Sequence, residues 1–355
     1  MTLTGIQVQY FRNFSHLVLS FDRPISVVLA PNASGKSNLI EAIRLLSTGE
    51  SDRAKKIDEM IAWNSEFARV SGTIHTEQEH DDTIEVLLTR GVVNGVKVQK
   101  RKVLLNGVAR RRKELHGKFP TVLFRPEDME LISGSPAHRR AYLDDVLSQG
   151  DSDYAFSLEQ YQQALKRRNA LLDVLREGRT TRASFAFWDA TMIKHGGILH
   201  EKRSQFLEWM QRDVSFPISY QIQYDSSQIS EDRLRKYADA EVAVGYTMVG
   251  PHKDEIRVEQ CDGGTKKEIA LYGSRGEQRM CVIWLKIVAL TYLHEKLDQK
   301  PMLLLDDVFS ELDERHQSLI LPLLQMYQTI LTTSNPESVE KMKDAQQIQL
   351  NNGAF

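Results

Sequence analysis

Little in the chain ties it to an oxidising compartment or to a bilayer. Its two cysteines, Cys261 and Cys281, show no metal-ligand spacing and are too few for a disulfide framework, which points to a reducing compartment. No window approaches the ~18 uninterrupted apolar residues of a membrane-spanning helix. The opening Met1-Thr-Leu-Thr-Gly lacks the basic stretch and apolar run of a secretion signal. A cytoplasmic protein with no membrane attachment is expected. Nor does one sign of charge dominate: 46 Lys and Arg against 48 Asp and Glu leave −2 at neutral pH, so binding to an acidic polymer has to come from a local patch. Internal repeats and low-complexity tracts are missing, and 355 residues suffice for two compact domains or one large domain with an insertion.

What the chain does have is alternation. Residues 1–30 carry "GIQVQYF", "HLVLSF" and the apolar "ISVVLA", which predict strands of a mixed sheet. Leu39, Ile43 and Leu46 then stand at helical spacing up to Gly49. Alternation returns from Arg69 to Val108, with Asn94-Gly95 and Asn106-Gly107 as turn signals, predicting a small antiparallel sheet. Residues 141–212 read as a short helical lobe, in which Leu158, Tyr161, Leu165, Leu172 and Leu175 form an apolar stripe broken at Arg168. Strands follow at "SYQIQYD" and "GYTMVGPHKDEIRVEQ", then a helix after Gly276, a strand "MLLLDD", a helix from Asp313 and a strand "TILTT". The expected organisation is an α/β body made of residues 1–140 and 213–355, with 141–212 inserted.

The stretch "VVLAPNASGKSNLIEAI" reads as strand, tight loop and helix. Inward-facing N–H groups before a helix start make an anion cradle without side chains. Ala30, Pro31, Asn32, Ala33, Ser34, Gly35, Lys36, Ser37 and Asn38 would line it, with Lys36 reaching the β- and γ-phosphates of ATP and the Ser37 hydroxyl on Mg²⁺. Gly35, the glycine before the lysine, permits close approach; Ala30 adds only a methyl group where a first glycine is usual. "PMLLLDDVFSELD" ends a buried strand in two carboxylates. At the tip of a strand beside the phosphate loop, Asp306 can hold Mg²⁺ and Asp307 can orient or deprotonate an attacking water; alone, the same residues would make a solvated acidic turn. In "LYGSRGEQRM", Ser274 and Gly276 precede an apolar helix. Its hydroxyl and free N–H groups suit the γ-phosphate of ATP held by a second subunit, or an ordinary helix cap.

With these pieces in this order, the chain resembles the ABC-type P-loop ATPase heads of DNA-maintenance proteins, the SMC/Rad50-like family. The likeness extends to "PEDMELISGSPAHRRAYLD" (126–144), "FRNF" (11–14) and "VGPHKDE" (249–255), idiosyncratic blocks spread over nearly the whole chain. It is nearest to the recombination mediators of that family. The resemblance implies an α/β head carrying a helical lobe, in which Ser274, Arg275, Gly276, Glu277 and Gln278 are the signature motif acting in trans. Ser310, Glu311, Leu312 and Asp313 become the D-loop, and Thr332 or Thr333 stands where relatives keep a switch histidine. It further implies an ATP-dependent homodimer on double-stranded and gapped DNA that works with RecR and RecO to load RecA, supports replication restart and the SOS response, and hydrolyses ATP slowly under DNA control. The sequence departs from the pattern in its glycine-poor loop and in Asp307 for the usual glutamate. It also has Arg125-Pro126-Glu127-Asp128 where a Q-loop glutamine would fall.

Lys97–Lys113 contains Lys100, Arg101, Lys102, Arg110, Arg111, Arg112 and no acid. A hairpin at Asn106-Gly107 could present them together to duplex phosphates, or simply be a charged, protected edge. Arg53 resembles the basic loop near nucleotide and DNA in SMC heads. Arg139 and Arg140 either face DNA or pin the lobe. Without interleaved aromatics, the basic run gives no basis for stacking on single strands. His252 is expected to be a structural hydrogen-bonding group, and Trp63, Trp188, Trp209 and Trp284 are expected in the core. A transporter ATPase would need a switch histidine after "TILTT" and a Q-loop, and an SMC or Rad50-like head would need a longer heptad arm. A scaffold that binds ATP without hydrolysing it has no feature against it.

Overall fold

The alternating strands of the first thirty residues are shared between two sheets in the computed structural model, which describes residues 1–76, 80–212, 216–262, 264–309, 312–336, 342 and 344–350. Thr2–Phe11 and Phe14–Ser20 pair antiparallel and continue through Phe67–His75, Asp81–Thr89, Arg101–Leu105 and Val108–Arg110 as a six-stranded sheet. Ile25–Leu29 belongs to a five-stranded parallel sheet, ordered Thr121–Phe124, Met302–Asp306, Thr329–Thr333, Ile25–Leu29, Gln346–Gln349. Its interior strands are mostly apolar or threonine, with Ser26 and the terminal Asp306 the exceptions, as strands covered on both faces are. Asn94-Gly95 and Asn106-Gly107 make the expected turns, all four residues at positive φ.

The helix Lys36–Thr48 lies between the two sheets, touching three strands of each. That explains why burial extends beyond its apolar stripe to Glu41 and Arg44. Each fully buried leucine on it contributes about 2–3 kcal/mol. The buried Arg44 guanidinium is met by Thr121 O and Oγ1 (2.9 and 2.7 Å) and by Asp52 (3.1 Å). Gly49 at positive φ closes the helix by donating to Leu45 O (2.8 Å). These elements form the first unit, Met1–Asp128 with Ala289–Phe355.

The second unit is Met129–Val288, larger than the helical lobe expected over 141–212. Besides the helices Pro136–Gly150, Ser152–Arg176, Ala186–Met210 and Glu231–Val244, it holds the antiparallel strands Ser219–Asp225, Glu255–Asp262 and Thr265–Glu268. The expected organisation puts those strands in the α/β body with residues 213–355; in the structure they belong to the second unit, because they pair with one another and not with either large sheet. In Ser152–Arg176 the buried line is Tyr154, Ser157, Tyr161, Ala164, Arg168 and Leu172. Arg168 continues the stripe because its charge is met inside, by Asp189 (2.6 Å), Glu241 (2.7 Å) and Thr247 (2.9 Å).

Two of the idiosyncratic blocks meet in this unit around Arg203. Its buried guanidinium donates to Asp144 (2.8 Å), Asp254 (2.7 Å), Tyr154 Oη (3.0 Å) and Pro251 O (2.8 Å). Arg139 grips Glu255 through two 2.8 Å bonds, and Arg140 donates to Asp254 O (2.8 Å); both arginines pin elements within the unit. His252 bonds Tyr161 Oη (2.7 Å) and Thr247 O (3.0 Å), and burial lowers its pKa to about 4, the structural role expected of it. Beside it Gly250 sits at φ +125°, where a Cβ would fall 2.2 Å from Tyr161 Oη.

The tryptophans correct the sequence reading. Trp284 is buried, Trp188 and Trp209 are half-buried, and Trp63 is 92% exposed. Both thiols are unbridged. Among the described residues no helix is long and apolar enough to cross a membrane.

Candidate nucleotide site

The loop between Ile25–Leu29 and Lys36–Thr48 has the form of an anion cradle. No side chain caps the helix and no acid stands in its first turn, so its leading N–H groups and positive dipole end are left for an external acceptor. Ala33 and Gly35 take positive φ (64° and 105°). At Gly35 a Cβ would fall 2.7–2.8 Å from Asn13 and Phe14, so glycine is required by conformation and by space alike. The Lys36 ammonium folds back onto Ala30 O (2.8 Å), Pro31 O (3.1 Å) and Asn32 Oδ1 (3.3 Å), three acceptors for its three protons. The Ser34 hydroxyl is buried with no partner, an uncompensated polar group of the kind that costs about 1–3 kcal/mol and that a phosphate oxygen would satisfy.

Parallel register places the distant carboxylate. Asp306 is level with Thr332, and Thr332 with Val28. Asp306 therefore ends at the same sheet edge as the phosphate loop, but not on a neighbouring strand as expected. Thr329–Thr333 runs between them, a lateral offset of about 10 Å. Thr332 Oγ1 donates to Asp306 Oδ1 (2.8 Å), and Ala30 N–H donates to Thr333 O (3.2 Å), tying the intervening strand to both. Asp307 is held at φ 53° with its N–H on Thr332 O and Oγ1 (both 3.1 Å). Arg125 follows Phe124, which is level with Leu305, so the Arg125–Asp128 turn lies at that edge too.

Asn13, Arg12 and Glu41, for which sequence reasoning offers no role at the nucleotide, buttress the loop. Asn13 donates to Ser34 O (3.2 Å) and accepts from Asn38 Nδ2 (2.7 Å). Arg12 makes a two-pronged pair with buried Glu41 (2.6 and 2.9 Å). Arg53 reaches Asn38 (3.0 Å) and Glu41 (3.4 Å), and so stands at the start of the phosphate-loop helix. "FRNF" thus forms the wall against which the cradle is built. Its signal was the pairing of a polar turn with a glycine that tolerates no Cβ.

In the second unit Ser274 and Glu277 form a reciprocal cap on the helix Arg275–Leu297. Ser274 N–H donates to Glu277 Oε2 (2.7 Å) and Glu277 N–H to Ser274 Oγ (3.3 Å). Lys267 binds both Glu277 oxygens (2.9 Å each), and this pair with the cap lowers the Glu277 pKa to about 2. Gln278 donates to Ile269 O (3.3 Å), while Ser274 and Arg275 are exposed and Gly276 is half-exposed. Of the D-loop positions, Ser310 and Glu311 lie outside the described residues. Leu312 is buried, and Asp313 caps the helix Glu314–Met326 by accepting from His316 N–H (2.9 Å).

The basic run is not gathered into one surface. Arg101 and Arg110 fall on the Val103 face of their hairpin, and Lys102 on the other. Glu50 pairs with Arg101 (3.2 Å) and Arg112 (2.8 Å), Asp58 with Lys100 (3.6 Å) and Glu114 with Arg110 (3.6 Å). The side chains of Lys97, Lys102 and Arg111 have no carboxylate partner among the described residues, although the Arg111 backbone N–H donates to Glu114 Oε1 (3.0 Å).

Comparison with known proteins agrees with this geometry. The family model for the RecF/RecN/SMC N terminal domain matches residues 2–354. The DNA replication and repair protein RecF of Moorella thermoacetica is 34% identical, over 94% of this chain and 90% of its own. That of Caldanaerobacter subterraneus subsp. tengcongensis is 33% identical, over 96% of each. The solved structure of the recombination mediator protein RecF-ATPrS, of the RecFOR pathway, superposes with TM-score 0.86 at 31% identity, over 99% of this chain and 96% of that one. The Smc head domain of Pyrococcus furiosus, at TM-score 0.52 and 18% identity over 99% of this chain and 94% of its own, shares the fold.

Proposed function

The chain belongs to the RecF/RecN/SMC family and is of RecF type, and from that premise we propose that it is an ATP-gated DNA-binding protein of recombinational repair. The observation that carries this reading is the common sheet edge shared by the phosphate loop and Asp306, with Thr332 and Thr333 of the one strand between them bonded to Asp306 and to Ala30. The RecF-ATPrS and RecF-ATP structures of relatives support ATP as the ligand.

On binding ATP, Lys36 exchanges the Ala30 and Pro31 carbonyls for β- and γ-phosphate oxygens, and the helix N–H groups and the Ser34 hydroxyl take the others. The described residues contain no carboxylate or histidine cluster able to hold a metal alone. Asp306 and the Ser37 hydroxyl, hard oxygen donors, suit Mg²⁺ once phosphates complete the shell, and Mg²⁺ would then neutralise phosphate charge. Asp307, its main chain fixed by Thr332, orients the attacking water. Being one methylene shorter than the usual glutamate, it holds that water less closely, in keeping with slow, DNA-stimulated turnover. A scaffold that does not hydrolyse ATP is the alternative at this point.

Two copies would close on two nucleotides, each held by the loop of one and residues 274–278 of the other, at gapped or junction DNA. Lys102 and Arg111, whose side chains have no carboxylate partner among the described residues, and Arg53, beside the nucleotide helix, are the best placed of the basic residues to meet phosphates. RecR, RecO and RecA are the partners that the family implies, in replication restart and the SOS response. Sedimentation of the purified chain with and without ATP-Mg²⁺ and gapped DNA tests the reading. The expected outcome is a monomer that becomes a dimer only with ATP and then co-sediments with DNA. A monomer at saturating nucleotide would remove the shared-site scheme.

A further inference from the structure

Tryptophan is among the most buried side chains on average, yet Trp63 is the most exposed of the large apolar side chains described, at 92%. Its exposure is built in. The turn Ala62–Ser65 is closed by Ser65 N–H on Ala62 O (3.0 Å), and Ala62 N–H donates to Tyr10 O (2.8 Å). Phe11 bridges Ile61. From the other side the Arg90 side chain donates to the carbonyls of Ser65 (3.0 Å), Ala62 (3.3 Å) and Ile61 (3.4 Å). A backbone fixed on both sides holds the ring out in solvent.

The surroundings indicate what the ring meets. Carbonyls orient the Arg90 guanidinium without neutralising it, so a positive charge underlies the turn. Lys55 and Lys56 are exposed on the same segment. The segment's acids only partly offset them: Asp58 is paired with Lys100 (3.6 Å), while Glu59 and Glu66, bonded by the N–H groups of Lys55 (3.0 Å) and Asn94 (2.8 Å), keep their charge, so among the described residues three cations stand against two unpaired acids. Tyr10, 37% exposed and edge-on to Phe67 at 5.3 Å, is a second aromatic beside the turn. Asn64, Ser65 and Glu66, which follow the ring, are polar. A rigid ring with open faces and a surplus of exposed cations around its turn is the arrangement that stacks on nucleobases while the cations meet phosphates.

We infer that Trp63 is a stacking platform for an unpaired base of single-stranded DNA, with Arg90, Lys55 and Lys56 serving the adjoining phosphates. Duplex bases, already stacked, do not use it. The same segment is tied to the phosphate-loop helix through Arg53 on Asn38 (3.0 Å) and to "FRNF" through Arg12 on Glu59 O (2.7 Å), so base contact and nucleotide site share one continuous piece of chain. The inference rests on the DNA-binding reading given above.

Oligothymidylate and a blunt duplex, each titrated into wild type, W63F and W63A with ATP-Mg²⁺ while tryptophan fluorescence is followed, separate the outcomes. Oligothymidylate is expected to quench wild type, W63A to bind it about tenfold more weakly and W63F to keep most of the affinity; duplex affinity should be equal in all three. W63A should melt with wild type, since Trp63 buries so little. Equal single-strand affinity in wild type and W63A, with duplex binding intact, overturns the stacking role alone. Wild type that binds neither DNA overturns the DNA reading and this inference with it. Quenching that grows with protein concentration in the absence of DNA would make a second copy the occupant and also overturn it.

Discussion

At the scale of single residues, Gly35 and Lys36 are neighbours whose loss should have different consequences. Lys36 is buried and bonds only to its own loop, so removing its ammonium takes away the phosphate ligand and leaves the acceptors of that loop without it, a local cost of about 1 kcal/mol. Gly35 is held at φ +105° against Asn13 and Phe14. An alanine there meets both a backbone penalty of about 1–3 kcal/mol and a clash that pushes "FRNF" away. The expectation is that Lys36→Ala loses ATP binding and melts only a few degrees below wild type, about 2–4 °C per kcal/mol in a domain of this size. Gly35→Ala should lose ATP binding and melt several degrees lower still. Calorimetric melts and a nucleotide titration on both variants check this. Equal melting of the two would mean that the Asn13–Phe14 wall does not constrain the loop.

Elements raise a different question, what holds a helix start in shape when it also has to stay exposed. The Arg275–Leu297 helix answers it with the Ser274–Glu277 cap and the Lys267 pair. The Glu277 carboxyl has a folded pKa of about 2 against an ordinary 4.5. A carboxyl lowered in this way adds stability that is complete above pH 4.5 and is lost as pH falls through 2. Because the pair is partly exposed, its worth is about 1 kcal/mol or less. Glu277→Gln keeps the cap's shape without its charge, so it should melt slightly below wild type at pH 7, and the difference should close on acidification below pH 4.5. A difference independent of pH would show that packing, not charge, sets the cap. Much of this element structure could be read beforehand. Strand, loop and helix around Lys36, both Asn-Gly turns and the start of the Arg275 helix follow from local chemistry. What could not be read was lateral order. Nothing in "TILTT" says that it lies between Asp306 and the phosphate loop, since that is fixed by packing between segments more than twenty residues apart in the chain. Arg168 looked like a break for a related reason: its partners Asp189 and Glu241 are remote in sequence. Trp63 misled because an apolar side chain carries no mark of the turn that holds it outside.

For the whole molecule, the decisive matter is whether nucleotide is held by one copy or shared by two. The cradle, Asp306, Asp307 and the threonine strand all belong to the first unit, while Ser274 and its cap belong to the second. With a net charge of −2 there is little long-range attraction or repulsion between copies, so the proposed dimer needs short-range contacts, which the scheme puts at the nucleotide. Ser274→Arg puts a bulky cation at an exposed helix start whose hydroxyl would face another copy's γ-phosphate. Because the cap oxygen is also lost, about 1 kcal/mol of local stability goes with it. Ser274→Thr, which keeps that oxygen, separates the two effects. In sedimentation with ATP-Mg²⁺, Ser274→Arg should stay monomeric and Ser274→Thr should retain most of the dimer, and both should bind ATP as monomers within about twofold of wild type (~0.4 kcal/mol). Were Ser274→Arg to lose monomer ATP affinity instead, the signature residues would be acting on their own copy's nucleotide. Were it to dimerise normally, the site would be complete within one chain.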